Sequence, residues 1–357
     1  MISAAKHRLR ATGVTAAAVA LAALSALVAL VLAGDTGHPP ASRPVAARQE
    51  HRAAFTGFYT PDAGSTVGTG MIVSIDFDHP VADRAAVQRA IAVRATPYVP
   101  VAGHWFGDRR LDLRPQGFWA PGTRVDLRLR LRGVRGAPDT YGTQDEDVVF
   151  RIGRAQTDTV DTDAHTLIVR RGDQVVRTLA VSAGGPQHAT YDGLMVISEK
   201  FPVTRMNGST VGFGGEYDIP DVPHAMRLTD SGTFLHGNYW SPPGIFGATN
   251  TSHGCVGLRD VKGGGARTPA GWLYANSLVG DVVEVTGGHG APVAPDNGLG
   301  GWNMPWQRWT GAPAPRPHAS AFAPRPHASA SARAHASGSA PAPAPTRPAA
   351  ATFATQR

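Results

Sequence analysis

The sequence predicts a mainly β protein made of two consecutive strand-rich regions. Three observations carry this. Apolar and charged residues alternate through TRVDLRLRLRGV, so Val125, Leu127, Leu129 and Leu131 fall on one face and Arg124, Arg128, Arg130 and Arg132 on the other. HTLIVRRGDQVVRTLAVSAG sets Gly172 and Asp173 between two strand-like runs, as a hairpin requires. The chain has Gly 42 and Pro 29 in 357 residues, which makes turns frequent, and the dominant hydrophobic period is two.

Taken in order, MISAAKHRLRATG supplies Lys6, Arg8 and Arg10 ahead of a charge-free run from Val14 to Ala33. That run is long enough to span a bilayer, and it also fits a cleaved signal peptide, because Val31 and Ala33 are small enough to precede a cut. Residues 1–33 are therefore expected to be a basic flank with a membrane anchor or signal segment. Both readings export everything after Asp35, to the outer face of the cell membrane or the cell wall. Residues 34–53, containing GHPPASRPVAARQ, read as a tether.

From 54 to 154 the strands are MIVSIDFD, RRLDLRP, TRVDLRLRLRGV and EDVVFRIG, which together predict a small antiparallel sandwich. Within it ADRAAVQRAIAV predicts a short helix or turn with Val87 and Ile91 inward. The second region, 155–287, adds GLMVIS, HAMRLT, TFLHG and DVVEV to the hairpin, with a short helix over Pro269–Asn276. In 288–311, Trp302, Trp306 and Trp309 are spaced to cover a hydrophobic patch. Residues 312–357, rich in alanine and proline and containing PRPHASA twice, predict an unstructured tail. Its His318, His327 and His335 are too irregularly spaced for a defined metal site.

The net charge of +7 raises the question of nucleic acid. No lysine-rich run or aromatic-interleaved basic stretch supports it, and the arginines of 124–132 occupy solvent-side strand positions. Attraction to an anionic envelope polymer fits the charge equally well.

The sequence holds Cys 1, inside TSHGCVGL. A lone cysteine is ordinarily a small buried hydrophobe. In an oxidising compartment, however, it forms no internal disulfide, and Cys255 lies in a glycine-flanked turn. FLHGNYW puts His236 at the end of a strand, and the turn-forming SPPGIFGATNTS lets the chain return a thiol beside that imidazole. Such a pairing activates sulfur for attack on an acyl group. If the amides of Gly254 and Cys255 point together, they form an oxyanion hole. His236 is preferred as the base because it arrives from another element, which leaves His253 a supporting role beside Ser252 and Thr251. No acidic residue is placed to orient His236, so a backbone carbonyl would serve.

Two alternatives stay open on the residues alone. His224, His236, His253 and Cys255 are chemically sound zinc ligands, although neither CxxC nor HExxH occurs. An exported binding or structural protein is the other.

FLHGNYW followed by TSHGCVGL resembles the signature of the L,D-transpeptidases with a YkuD-type catalytic domain. DFDHPVADRAAVQRAI and FWAPGTRVDLRLRLRGV resemble the immunoglobulin-like domain that precedes it in actinobacterial members, and GWNMPWQRW resembles their C-terminal extension. The resemblance implies an immunoglobulin-like β-sandwich followed by a β-rich catalytic domain. It implies that Cys255 is the nucleophile and His236 the catalytic histidine, with Ser252, His253 and Gly254 shaping the loop. Tyr217, Met226 and Tyr239 match regions lining the donor cleft or its flap. At Gly257 several relatives carry asparagine or arginine, which makes it a departure at a substrate contact. YDIPDVPHAMRLT is longer than the usual form of that segment, so His224 would alter the cleft.

The implied partners are peptidoglycan tetrapeptide stems as donor and acceptor. The implied reaction forms a 3→3 cross-link through a cysteine thioester with release of D-alanine, or acts as an L,D-carboxypeptidase when water replaces the acceptor. No cofactor is needed, and a covalent carbapenem adduct is expected.

Overall fold

A computed structural model describes residues 53–287 and 289–311. The expected anchor or signal segment, nearly all of the tether, and the tail lie outside the described residues. Among the described residues no helix is long and apolar enough to cross a membrane.

The first region is a sandwich of two four-stranded sheets. One runs in the order Thr66–Val67, Asp145–Ile152, Arg124–Arg130, Ile91–Thr96, and the other Gly57–Thr60, Val73–Phe77, Arg110–Pro115, Val101–Phe106. Val125, Leu127, Leu129 and Leu131 are all fully buried between them. The arginines of the opposite face pair with carboxylates in solvent: Arg124 with Asp126 (2.8 Å), Arg130 with Asp147 (2.7 Å) and Arg132 with Asp145 (3.2 Å). Exposed pairs of this kind contribute little stability, but they leave no free basic stripe.

Two details depart from the antiparallel expectation. Thr66–Val67 runs parallel to the Asp145–Ile152 strand, and Ala53–Phe55 runs parallel to Thr140–Gly142 in a small third sheet. The helix is shorter than its apolar spacing predicts, spanning Arg84–Arg89, with the Asp83 carboxylate accepting from the Ala86 amide at 2.9 Å. Val87 is buried from the helix, whereas Ile91 is buried from the strand that follows.

The second region is a nine-stranded mixed sheet. Its order is Gly193–Val196, Val282–Thr286, Thr157–Asp161, Thr166–Arg171, Gln174–Ser182, Val256–Arg259, Phe234–Asn238, Asp218–Arg227, Glu199–Asn207. The hairpin turns at Gly172 with φ +58°, and the helix covers Pro269–Asn276. Phe234–Asn238 and Val256–Arg259 are neighbours but run parallel. A parallel pair cannot be closed by a tight turn, so the intervening chain must cross over, and that crossover carries the SHGC turn.

The two regions share a tight seam. The Gly68 amide donates to the Val279 carbonyl (2.8 Å) and the Gly70 amide to the Gly280 carbonyl (2.9 Å). A side chain at Gly68 would collide with the backbone at Gly280 and Asp281, so only glycine permits this approach. Close by, Arg154, itself partly exposed, pairs with the buried Asp281 (3.0 Å), and burial together with the Asp281 charge pushes the Asp158 carboxyl up to about 7. Asp158 Oδ2 has no hydrogen-bond partner.

The tryptophans do more than cover an apolar patch, because they enclose a cation. The Arg114 guanidinium lies over the rings of Trp309 (4.3 Å), Trp302 (4.7 Å) and Trp306 (5.3 Å). It donates to the carbonyls of Met304 (2.8 Å) and Pro115 (3.0 Å), so the C-terminal segment is fastened to the sandwich by one buried arginine.

Two outcomes are expected. Arg114→Ala should lower the unfolding free energy by about 2–4 kcal/mol in urea titrations, since orphaned carbonyls and an aromatic-lined hole remain. Because the folded Asp158 carboxyl sits above its unfolded range, the stability it contributes is full below its unfolded value of 3.8 and lost as pH rises through about 7. Asp158→Asn should therefore flatten the fall in melting temperature across that window, stabilising the protein at pH 8 by on the order of 1 kcal/mol; an unchanged profile would refute the assignment.

Candidate active site

His236 occupies the middle of the Phe234–Asn238 strand, every residue of which is buried. Its neighbour Leu235 points into the apolar core, so the imidazole projects from the opposite face. In the parallel register Leu235 lies beside Val256 and His236 beside Gly257. Cys255 is two residues before Gly257 and shares its face by strand alternation, which places thiol and imidazole on the same side of the sheet. Both line a cleft of about 210 Å³, together with Tyr217, Trp240, His253 and Gly257. A larger hollow of about 650 Å³ lies against Asn250, Gly185 and Thr190 and includes neither Cys255 nor His236.

The imidazole is fixed on two sides. Nδ1 lies 3.0 Å from the Gly237 carbonyl, which can only accept, so Nδ1 carries the hydrogen and Nε2 keeps its lone pair. This is the backbone orientation expected in the absence of an acid. The Trp240 ring stacks on the imidazole at 5.7 Å with planes 9° apart. Burial lowers the His236 pKa, and the Gly237 bond opposes that shift.

The thiol donates to the Gly232 carbonyl at 3.4 Å. Burial pushes Cys255 up to about 11, with a hydrogen bond from the Phe234 backbone acting in the opposite sense. In the resting site, then, sulfur is protonated and the imidazole neutral. Tyr217, held at about 12 by burial and by proximity to Cys255, also stays neutral.

The loop preceding the cysteine is tied down by its hydroxyls. Ser252 Oγ donates to the Cys255 carbonyl (2.5 Å) and receives the Gly254 amide (3.1 Å), and the Ser252 backbone bonds Ala183 and Gly185. Gly254 has φ +106°, a conformation that favours glycine. Its amide is thus already engaged within the loop and is not free to meet an oxyanion. His253 Nε2 lies 2.8 Å from Glu216 Oε2 and its ring packs on Tyr217 at 5.1 Å, which gives it a supporting place in the loop.

Three expected residues sit elsewhere. Met226 is buried in the core because it faces Leu235 across the antiparallel ladder, and cross-strand partners share a face. Tyr239 turns its hydroxyl to Asp221, away from the cleft, and it is Trp240 that reaches the imidazole. His224 is held by Asp260 at 2.6 Å and does not join His236, so the four-residue zinc set through the thiol is not assembled.

Sequence reasoning missed Trp240, Glu216, His188 and the Gly232 carbonyl. Trp240 stood inside the FLHGNYW motif. The others come from loops whose meeting no spacing encodes.

Residues 46–135 match the bacterial Ig domain and residues 158–285 the L,D-transpeptidase catalytic domain, YkuD. L,D-transpeptidase 1 of Mycobacterium tuberculosis is 30% identical over 233 residues, which are 64% of this chain and 83% of that protein. The chain belongs to the L,D-transpeptidase family. L,D-transpeptidase 2 of the same species is 34% identical over 257 residues, covering 71% of this chain and 60% of its own length. A solved L,D-transpeptidase in complex with imipenem superposes with a TM-score of 0.54 at 28% identity, covering 66% of this chain and 99% of that one. In the cleft of this L,D-transpeptidase family member, burial favours the neutral forms of both Cys255 and His236.

Alkylation of Cys255 by iodoacetamide should accordingly be slow at neutral pH and rise with pH past 10, following a group near 11. An inflection at the free-thiol value of about 8.5 would contradict the buried, protonated resting thiol.

Proposed function

We propose that this protein is a peptidoglycan L,D-transpeptidase that forms 3→3 cross-links. The observation that carries this reading is that Cys255 and His236 line one cleft, His236 from the Phe234–Asn238 strand and Cys255 from the turn that leads into its parallel neighbour Val256–Arg259. The donor is a tetrapeptide stem ending in D-alanine. Its third-residue carbonyl approaches Cys255, the thiol proton leaves the Gly232 carbonyl for His236 Nε2, and sulfur adds to the carbonyl carbon. The resulting oxyanion is met by the Cys255 amide and by the Gly254 amide once that bond is released from Ser252 Oγ. As the C–N bond breaks, His236 returns the proton to the departing D-alanine amine and a thioester remains.

A side-chain amine of a second stem then attacks the thioester, giving its proton to His236, and the tetrahedral adduct expels Cys255 to leave an amide. Water in the same role gives a carboxylic acid, the carboxypeptidase outcome. No step calls for a cofactor. Trp240 keeps the ring in plane through both transfers. In this reading the chain works outside the cytoplasmic membrane, held there by residues 14–33 if uncleaved, and a carbapenem acylates Cys255.

Mass spectrometry of the protein incubated with defined tetrapeptide stems tests the proposal. Loss of D-alanine with an acyl mass on Cys255 is expected; an unmodified protein beside intact stem would sink it and favour a binding role. Cys255→Ala should abolish the adduct. His236→Ala should slow its formation by roughly 10²–10⁴-fold without unfolding the protein.

A further inference from the structure

Beside the cleft, three side chains from separate parts of the chain converge in a way the proposed reaction does not use. His188 comes from the loop after the Gln174–Ser182 strand, Glu216 from the tip of the hairpin joining Glu199–Asn207 to Asp218–Arg227, and His253 from the loop carrying the thiol. One donor atom from each lies within 4.8 Å of the others. Both imidazoles aim Nε2 at a single carboxylate oxygen, Glu216 Oε2, His253 at 2.8 Å and His188 at 3.8 Å.

The second distance is the informative one. At 3.8 Å the His188 nitrogen is too far for a hydrogen bond. Two ligands of one tetrahedral zinc ion, each about 2.0–2.2 Å from the metal, stand roughly 3.3 Å apart, so the observed separations bracket that value. The imidazole rings stack at 4.9 Å with planes 23° apart. A single divalent cation placed between them would satisfy both imidazole lone pairs and the carboxylate together. Phe213 packs edge-on to His188 (5.1 Å) and His253 (5.5 Å), forming an apolar wall beside the donors.

We propose that His188, Glu216 and His253 bind a divalent cation of the zinc class, which clamps the hairpin tip onto the active-site loop. Two borderline imidazoles with one carboxylate make a donor set that suits zinc, and three protein donors leave the fourth position to water. The clamp acts on the cleft through neighbours: Glu216 precedes Tyr217, which lines it, and His253 is two residues from the nucleophile. This site does not depend on the assignment of the peptidoglycan reaction, since Cys255 is not among its ligands.

The test is calorimetric titration of zinc chloride into the full chain carrying Cys255→Ser, which removes the thiol as a competing ligand. The expected result is an ion whose affinity falls at least tenfold in Glu216→Gln and in His188→Gln added to that background. Glu216 is half-exposed, so its substitution leaves folding intact and keeps the test decisive if the His188 variant is unstable. Amide hydrogen exchange across 207–217 should slow with zinc in the parent and not in Glu216→Gln. The proposal is overturned by an absence of zinc binding, by binding indifferent to Glu216→Gln, or by binding that appears only when Cys255 is present.

Discussion

The site depends on one pairing, the parallel contact of Phe234–Asn238 with Val256–Arg259. A parallel register aligns residues pointing the same way, so Leu235 and Val256 enter the core together while His236 and Gly257 face the cleft together. A slip of one residue would turn the imidazole into the apolar core and Leu235 into the cleft, and the apolar core resists that slip. The hydrophobic effect acting on Leu235, Val256 and Leu258 thereby fixes a polar geometry on the other side of the sheet. The parallel direction also demands a long crossover, and the SHGC turn is its final stretch.

Burial has a second consequence, on charge. The same enclosure that orders His236 and Cys255 disfavours their charged forms, raising the thiol and lowering the imidazole. The backbone supplies the compensation: the Gly237 carbonyl fixes the tautomer and the Gly232 carbonyl takes the thiol hydrogen bond. The thiol is thereby held protonated against the Gly232 carbonyl, and anything that displaces that bond alters its reactivity.

Around this centre the chain uses arginines set against buried partners as fasteners. Arg114 secures the C-terminal segment to the sandwich through three tryptophan faces, and Arg154 with Asp281 secures the sandwich to the catalytic sheet. The glycines at 68 and 70 allow the backbones to meet at that seam. The sandwich is therefore joined to the catalytic sheet by direct backbone bonds.

The sequence by itself determined the fold class and pointed to the two side chains, Cys255 and His236, that share the cleft. Period-two alternation at 124–131 is a local consequence of strand geometry, and the Pro269–Asn276 helix follows from its Thr268 cap and first-turn proline. Cys255 and His236 were legible because thiol chemistry needs an imidazole and the HGNYW and SHGC stretches supply both with glycine freedom. Tertiary structure alone decided which aromatic meets the ring. Met226 and Tyr239 lie at expected positions along the chain, yet strand parity sends one into the core and a hydrogen bond draws the other to Asp221, leaving Trp240 at the imidazole. It also decided that His188 and Glu216 meet His253, because loops distant in sequence are brought together by sheet order, which local spacing does not encode.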